Sequence, residues 1–102
     1  MPVPLKVIKP AGIFDGVQAH ELRRTVSELV AEGNNLVLLD LADVNFIDST
    51  GLGTLIVALK MLRNAGGDLY LCSLAAPVKH LFALTGMDSI FETLGDRNHF
   101  AR

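Results

Sequence analysis

The sequence predicts an α/β domain built on a parallel or mixed sheet, and three observations carry that prediction. Two short runs, Leu36-Val37-Leu38-Leu39 and Leu69-Tyr70-Leu71-Cys72, are almost wholly apolar, as strands covered on both faces are. Segments with apolar residues at helical spacing lie between and around them. Glycine and proline mark the joints, so the order strand–helix–strand repeats with clear breaks. Units of that kind close through right-handed crossovers. With 102 residues, no internal repeat and no linker composition, residues 1–102 make one domain.

Taken in order, Leu5-Lys6-Val7-Ile8-Lys9 alternates apolar with basic between Pro4 and Pro10, which suits a sheet edge. Ala11-Gly12-Ile13-Phe14 reads as a second short strand. Asp15 then caps a helix, and Gln18 three residues later completes a capping-box pattern. Leu22, Val26, Leu29 and Val30 form the buried side of that helix, which stops at Gly33. After the buried strand Leu36–Leu39, residues Asp40 to Asn45 read as a turn, with Phe46 and Ile47 going into the core. Leu52, Leu55, Ile56, Leu59 and Leu62 give the clearest helical stripe, closed by Ala65-Gly66-Gly67. Another buried strand follows at Leu69–Cys72. Pro77 opens a third helix, with Val78, Leu81 and Phe82 inward and Gly86 as its stop. Ile90-Phe91 is expected as a last short strand or turn, ahead of a polar tail from Asp96 to Arg102.

Half of the residues are apolar and 20% are charged; mean hydropathy is +0.39. Such a chain carries a core and is not intrinsically disordered. Net charge is −2 with no run of either sign, so the basic footprint of a nucleic-acid binder is missing. Cys72 is the one cysteine, which excludes an internal disulfide or a thiolate metal cluster. No apolar run reaches the length of a membrane span, and Met1-Pro2-Val3-Pro4 does not open a signal peptide. The expectation is a soluble, cytoplasmic domain.

The informative segment is Asn45-Phe46-Ile47-Asp48-Ser49-Thr50-Gly51-Leu52-Gly53, between a buried strand and the best helix. Asp48, Ser49 and Thr50 are all capping residues, and capping alone would account for them. Gly51 and Gly53 resist that reading, because each costs roughly 0.5–1 kcal/mol in a helix relative to Ala. What they offer is a bare backbone, open to a partner or a phosphate, at the positive end of a helix.

Enzyme motifs do not fit this spacing. No Gly-x-x-x-x-Gly-Lys-Ser/Thr string occurs, and Ile56 stands where a dinucleotide fingerprint needs its third glycine. Ile47 replaces the first glycine of a Gly-x-Ser-x-Gly elbow around Ser49. An aspartic protease half-site would put Gly two residues after Asp, whereas Thr50 intervenes before Gly51, and the helical content is wrong for that all-β class. His20, His80 and His99 read as surface or boundary histidines, and no metal-ligand spacing is visible. No cofactor is implied. Leu36 to Leu41 does look like the phosphoacceptor strand of a two-component receiver, with Asp40 as acceptor. A receiver also needs an acidic pair after its first strand, where this chain has Lys6 and Lys9.

At Phe46-Ile47-Asp48-Ser49-Thr50-Gly51-Leu52-Gly53 the sequence closely resembles the anti-sigma factor antagonists of the STAS-domain family. Gly12-Ile13-Phe14-Asp15, Leu36 to Leu41, Ala65-Gly66-Gly67 and Pro77 to Phe82 with Thr85-Gly86 extend the match, in order, over nearly the whole chain. The resemblance implies a single STAS domain, a small mixed sheet with helices mainly on one face, and no enzymatic activity. It implies that Ser49 is phosphorylated by a cognate anti-sigma factor that is itself a serine kinase of the GHKL type, with Thr50 as a secondary acceptor. The unphosphorylated form would bind that anti-sigma factor and free a sigma factor, and a PP2C-type phosphatase would restore the serine. Asp48, Ser49, Thr50, Gly51 and Gly53 would form the partner-binding surface. Asp48 would orient the loop, and the amides of Gly51 and Leu52 would solvate part of the phosphate charge. His80 stands where many members have Arg or Lys. Two other readings remain beside this one: a STAS interaction module in which Ser49 only caps the helix, and a phosphoaspartate domain using Asp40.

Overall fold

The computed structural model describes residues 5–94, and for 92–94 the backbone alone. Pro2, Pro4, His99 and the tail from Asp96 lie outside the described residues. Among the described residues six strands and three helices follow one another as β1 (Lys6–Ile8), β2 (Ala11–Phe14), α1 (Gly16–Ala31), β3 (Leu36–Asp40), β4 (Asp43–Ile47), α2 (Ser49–Asn64), β5 (Asp68–Cys72), α3 (Ala76–Thr85) and β6 (Glu92–Leu94). A 3₁₀ turn at Met87–Ser89 links α3 to β6.

The strands form two sheets. β1, β3, β5 and β6 make a four-stranded sheet in that order, and β2 pairs with β4 alone. Every ladder among the described residues is parallel, so the mixed sheet expected from the resemblance is a parallel one. The last strand also moves: it occupies Glu92–Leu94 against β5, while Ile90 and Phe91 belong to the connection before it.

Alternation along the strands separates the two faces of the larger sheet. Val37, Leu39, Leu69 and Leu71 join buried residues from all three helices in one hydrophobic core, including Val26, Leu55, Leu59, Val78 and Phe82. Leu38 and Cys72, of opposite parity, are fully buried as well, which explains the unbroken apolar runs. β1 is the exposed edge that its alternating sequence predicts.

Helix boundaries follow the punctuation. The Asp15 carboxylate accepts from the amides of Val17 (3.1 Å) and Gln18 (3.2 Å). The return half of the capping box is not made, because the Gln18 side chain donates instead to the carbonyls of Ala11 (2.6 Å) and Ile13 (3.1 Å). Gln18 therefore ties α1 to β2 rather than to its own cap. Gly33 and Gly86 follow α1 and α3 with φ of 88° and 76°, the left-handed conformation that closes a helix at little cost to glycine.

The segment expected as a turn, Asp40 to Asn45, contains most of β4. Its pairing with β2 runs Gly12↔Val44 and then Ile13↔Phe46, so Asn45 is an extra residue opposite no partner. That bulge breaks the period of two and hides the strand from a periodicity argument. It also turns Phe46 outward, against the expectation that it is buried: Phe46 is 53% exposed while Ile47 is 1% exposed.

Candidate functional site

Beyond the bulge the two short strands run level. Phe14 of β2 faces Ile47 of β4, and both side chains are buried. Each strand then enters a helix through an aspartate, Asp15 into α1 and Asp48 into α2. The Asp48 amide reaches the Phe14 carbonyl at 3.4 Å, which stitches the second entrance to the first. Two positive helix ends thus start side by side at one edge of the small sheet.

At the head of α2 the capping is done by Asp48. Its Oδ1 accepts from the Gly51 amide at 2.7 Å and its carbonyl accepts from Leu52 at 2.9 Å. The Gly51 and Leu52 amides are therefore occupied, contrary to the expectation that they are free to receive a phosphate. Helix geometry instead leaves the amides of Ser49 and Thr50 without partners in a preceding turn. Both residues are exposed, and among the described residues no side-chain hydrogen bond engages the Ser49 hydroxyl. Ser49 is a free hydroxyl on a fixed first turn.

The two glycines of the motif serve different ends. Gly51 is buried, and a Cβ there would stand 2.8 Å from Cδ2 of Phe14 and 2.9 Å from Cγ2 of Ile47, and closer still to the Phe14 carbonyl oxygen. It lets α2 seat on the end of the small sheet, so it does not belong to an open partner surface as the sequence suggested. A Cβ on Gly53 would meet nothing within 4 Å, and Gly53 is exposed. Its bare backbone faces outward, as expected. Thr50 lies toward α1, its Cγ2 at 3.8 Å from where a Cβ of Gly16 would be.

Sequence reasoning missed the apolar surroundings of this turn. Ile13, opposite Phe46, is 54% exposed, and Val17 in the first turn of α1 is 74% exposed. On the other side, Phe46 and Ile47 share a groove of about 260 Å³ with Pro77, His80, Leu81 and Leu84 of α3. Leu84 itself is 72% exposed. No local signal in the sequence marks them: the bulge at Asn45 that turns Phe46 out shows only in the pairing of β4 with β2.

The other candidates lie elsewhere. Asp40 is 4% exposed, and its Oδ1 accepts from the Ala42 amide at 3.0 Å, which leaves it buried under the strand ends rather than presented to a phosphodonor. His20 sits on the outer side of α1 with Arg23, Arg24 and Ser27. Among the described residues no group of three His, Cys, Asp or Glu side chains is placed to hold a metal ion. No helix among them is long and apolar enough to cross a membrane.

The site is thus an exposed serine hydroxyl on a capped helix start, carried by a small α/β domain. The STAS domain family matches residues 3–101, and the chain belongs to that family. It is homologous to anti-sigma factor antagonists: the anti-sigma-B factor antagonist of Bacillus subtilis is 37% identical over 82 residues, 80% of this chain and 74% of that protein. The fold is that of the anti-sigma factor antagonist SpoIIAA. Its unphosphorylated form has a TM-score of 0.75 at 17% identity, covering 99% of this chain and 88% of SpoIIAA. The phosphorylated form has the same TM-score at 18% identity, covering 99% and 92%. A sulfate transporter family protein from Wolinella succinogenes shares the fold too, with a TM-score of 0.82 at 17% identity over 96% of this chain and 84% of that one.

Proposed function

We propose that this chain is a partner-switching anti-sigma factor antagonist whose switch is Ser49. In the unphosphorylated state it binds an anti-sigma factor that is also a serine kinase of the GHKL type, and a sigma factor is released. The kinase moves the γ-phosphoryl group of ATP to the Ser49 oxygen, leaving ADP and a proton, and the phosphorylated chain no longer binds. A PP2C-type phosphatase hydrolyses the ester and resets the chain. Asp48, Ser49, Thr50 and Gly53 form the contact surface, with Gly51 holding that surface in place from beneath.

One observation carries this reading: the cap of α2 is Asp48, so the Ser49 hydroxyl is exposed and unused by the fold. A serine needed only as a cap would show the opposite arrangement. The curated relative's name points the same way, as does the existence of SpoIIAA in both phosphorylated and unphosphorylated forms on one fold. A phosphate on Ser49 would bring about −1.5 to −2 charges at neutral pH, set against the positive start of α2 and the open amides of Ser49 and Thr50.

The test is intact-mass measurement after incubation with ATP and each anti-sigma factor kinase of the source genome. A gain of one phosphoryl group in the wild type, lost in Ser49→Ala, supports the reading. A wild type that no kinase labels overturns it. Labelling that persists in Ser49→Ala moves the acceptor to Thr50.

A further inference from the structure

We infer that the kinase that modifies Ser49 docks by filling the apolar groove between β4 and α3, with Phe46 and Leu84 as its anchors. The inference rests on the proposed function above. On a two-stranded sheet the outward positions of an isolated domain are ordinarily polar, yet here the outward cross-strand pair is Ile13 and Phe46, each more than half exposed. The groove beside them is walled by Phe46, Ile47, Pro77, Leu81 and Leu84, and the one ionisable side chain on its lining is His80. An apolar concavity with a half-exposed aromatic at its lip is the form that interface anchors take.

The occupant follows from continuity. Ile47 lines the groove and is followed directly by Asp48 and Ser49, so an enzyme that closes over the Ser49 oxygen also covers the mouth of the groove. The lining carries no acidic group, and the Lys79 that follows Val78 on α3 is exposed outside it, so an apolar partner segment fits without burying a charge. The groove then separates docking from transfer. The hydroxyl receives the phosphoryl group, and the groove sets how often the enzyme is in position.

The experiment uses the kinase that labels the wild type in the mass assay, with Phe46→Thr and Leu84→Ser as substrates. Phe46→Thr keeps a β-branched residue in the strand, and Leu84 is too exposed for its loss to disturb the core. Val57→Ser, an exposed apolar residue on α2 away from the groove lining, is the control. Each groove variant should raise the KM for phosphorylation at least tenfold with kcat within twofold of wild type, and Val57→Ser should change neither. Thermal midpoints should match wild type. Wild-type KM in both groove variants overturns the docking assignment while Ser49 labelling leaves the proposed function standing. An equal rise in KM for Val57→Ser overturns it too. If Phe46→Thr unfolds, Leu84→Ser decides alone.

Discussion

Gly51 rests against the carbonyl of Phe14, and no other residue fits there. The contact joins the first turn of α2 to the end of β2, while the Asp48 amide reaches the same carbonyl from the side. The exposed serine is thus positioned by a backbone contact two residues away, under the surface it occupies. That arrangement separates the residue that seats the turn, Gly51, from the residue that presents a hydroxyl on it, Ser49.

Alanine at the two motif glycines should have opposite effects. Gly51→Ala forces a methyl group against backbone and should cost about 1–3 kcal/mol, the range of overpacking. Gly53→Ala adds its methyl group to open space and should stabilise by about 0.5–1 kcal/mol through helix propensity. Urea midpoints check both, and equal shifts of one sign would refute the division of roles. Gly51→Leu cannot separate folding from binding, because it disturbs both.

Asp48→Ala should remove the acceptor of the Gly51 amide and destabilise the fold by about 1 kcal/mol. Asp48→Asn keeps an acceptor and should recover most of that loss. The two are compared by chemical denaturation. A stability unchanged in Asp48→Ala would mean that the cap bond contributes nothing.

Ser49→Asp should bind the partner kinase in the presence of ADP more than a hundredfold more weakly than Ser49→Ala. Burying the charge at a surface suited to a hydroxyl costs about 3 kcal/mol, and each 1.4 kcal/mol is about tenfold. Both variants should keep the wild-type circular dichroism spectrum, because Ser49 makes no contact that the fold uses. Titration calorimetry reads the difference, and equal affinities would remove Ser49 as the switch.

Phe82→Ala should cost about 3–5 kcal/mol. The ring is 1% exposed and meets Phe91 at a centroid distance of 6.1 Å, tilted by 40°. An unchanged thermal midpoint would contradict the packing of α3.

Much of this was legible from residue order, for definite physical reasons. The helices α1, α2 and α3 announce themselves through apolar spacing with Asp15, Pro77 and glycine at their limits, and β3 and β5 through unbroken apolar runs. β4 was not legible, since Asn45 is a bulge and the alternation on which a strand is recognised fails at that point. The role of Gly51 was hidden for another reason: the group it must avoid, Phe14, is far away in the chain, and local sequence holds no trace of a long-range contact. The outward turn of Phe46 has the same origin as the hidden strand. At the site, the Asp-Ser-Thr order showed three capping residues but not which of them caps; the hydrogen bond from Gly51 to Asp48 decides it.

Helix α2 is pinned at both ends. Gly51 holds its start to Phe14, and beyond its end a Cβ on Gly67 would overlap the Asn35 carbonyl, which also accepts from the Asp68 amide at 3.0 Å. The Asn35 side chain adds a bond to the Ala65 carbonyl at 3.0 Å. A serine carried on such a strut has little freedom left to surrender when a partner arrives. The ordering entropy that usually weakens recognition of a loop was spent when the chain folded, so in the proposed complex less of the contact energy would go into ordering the turn.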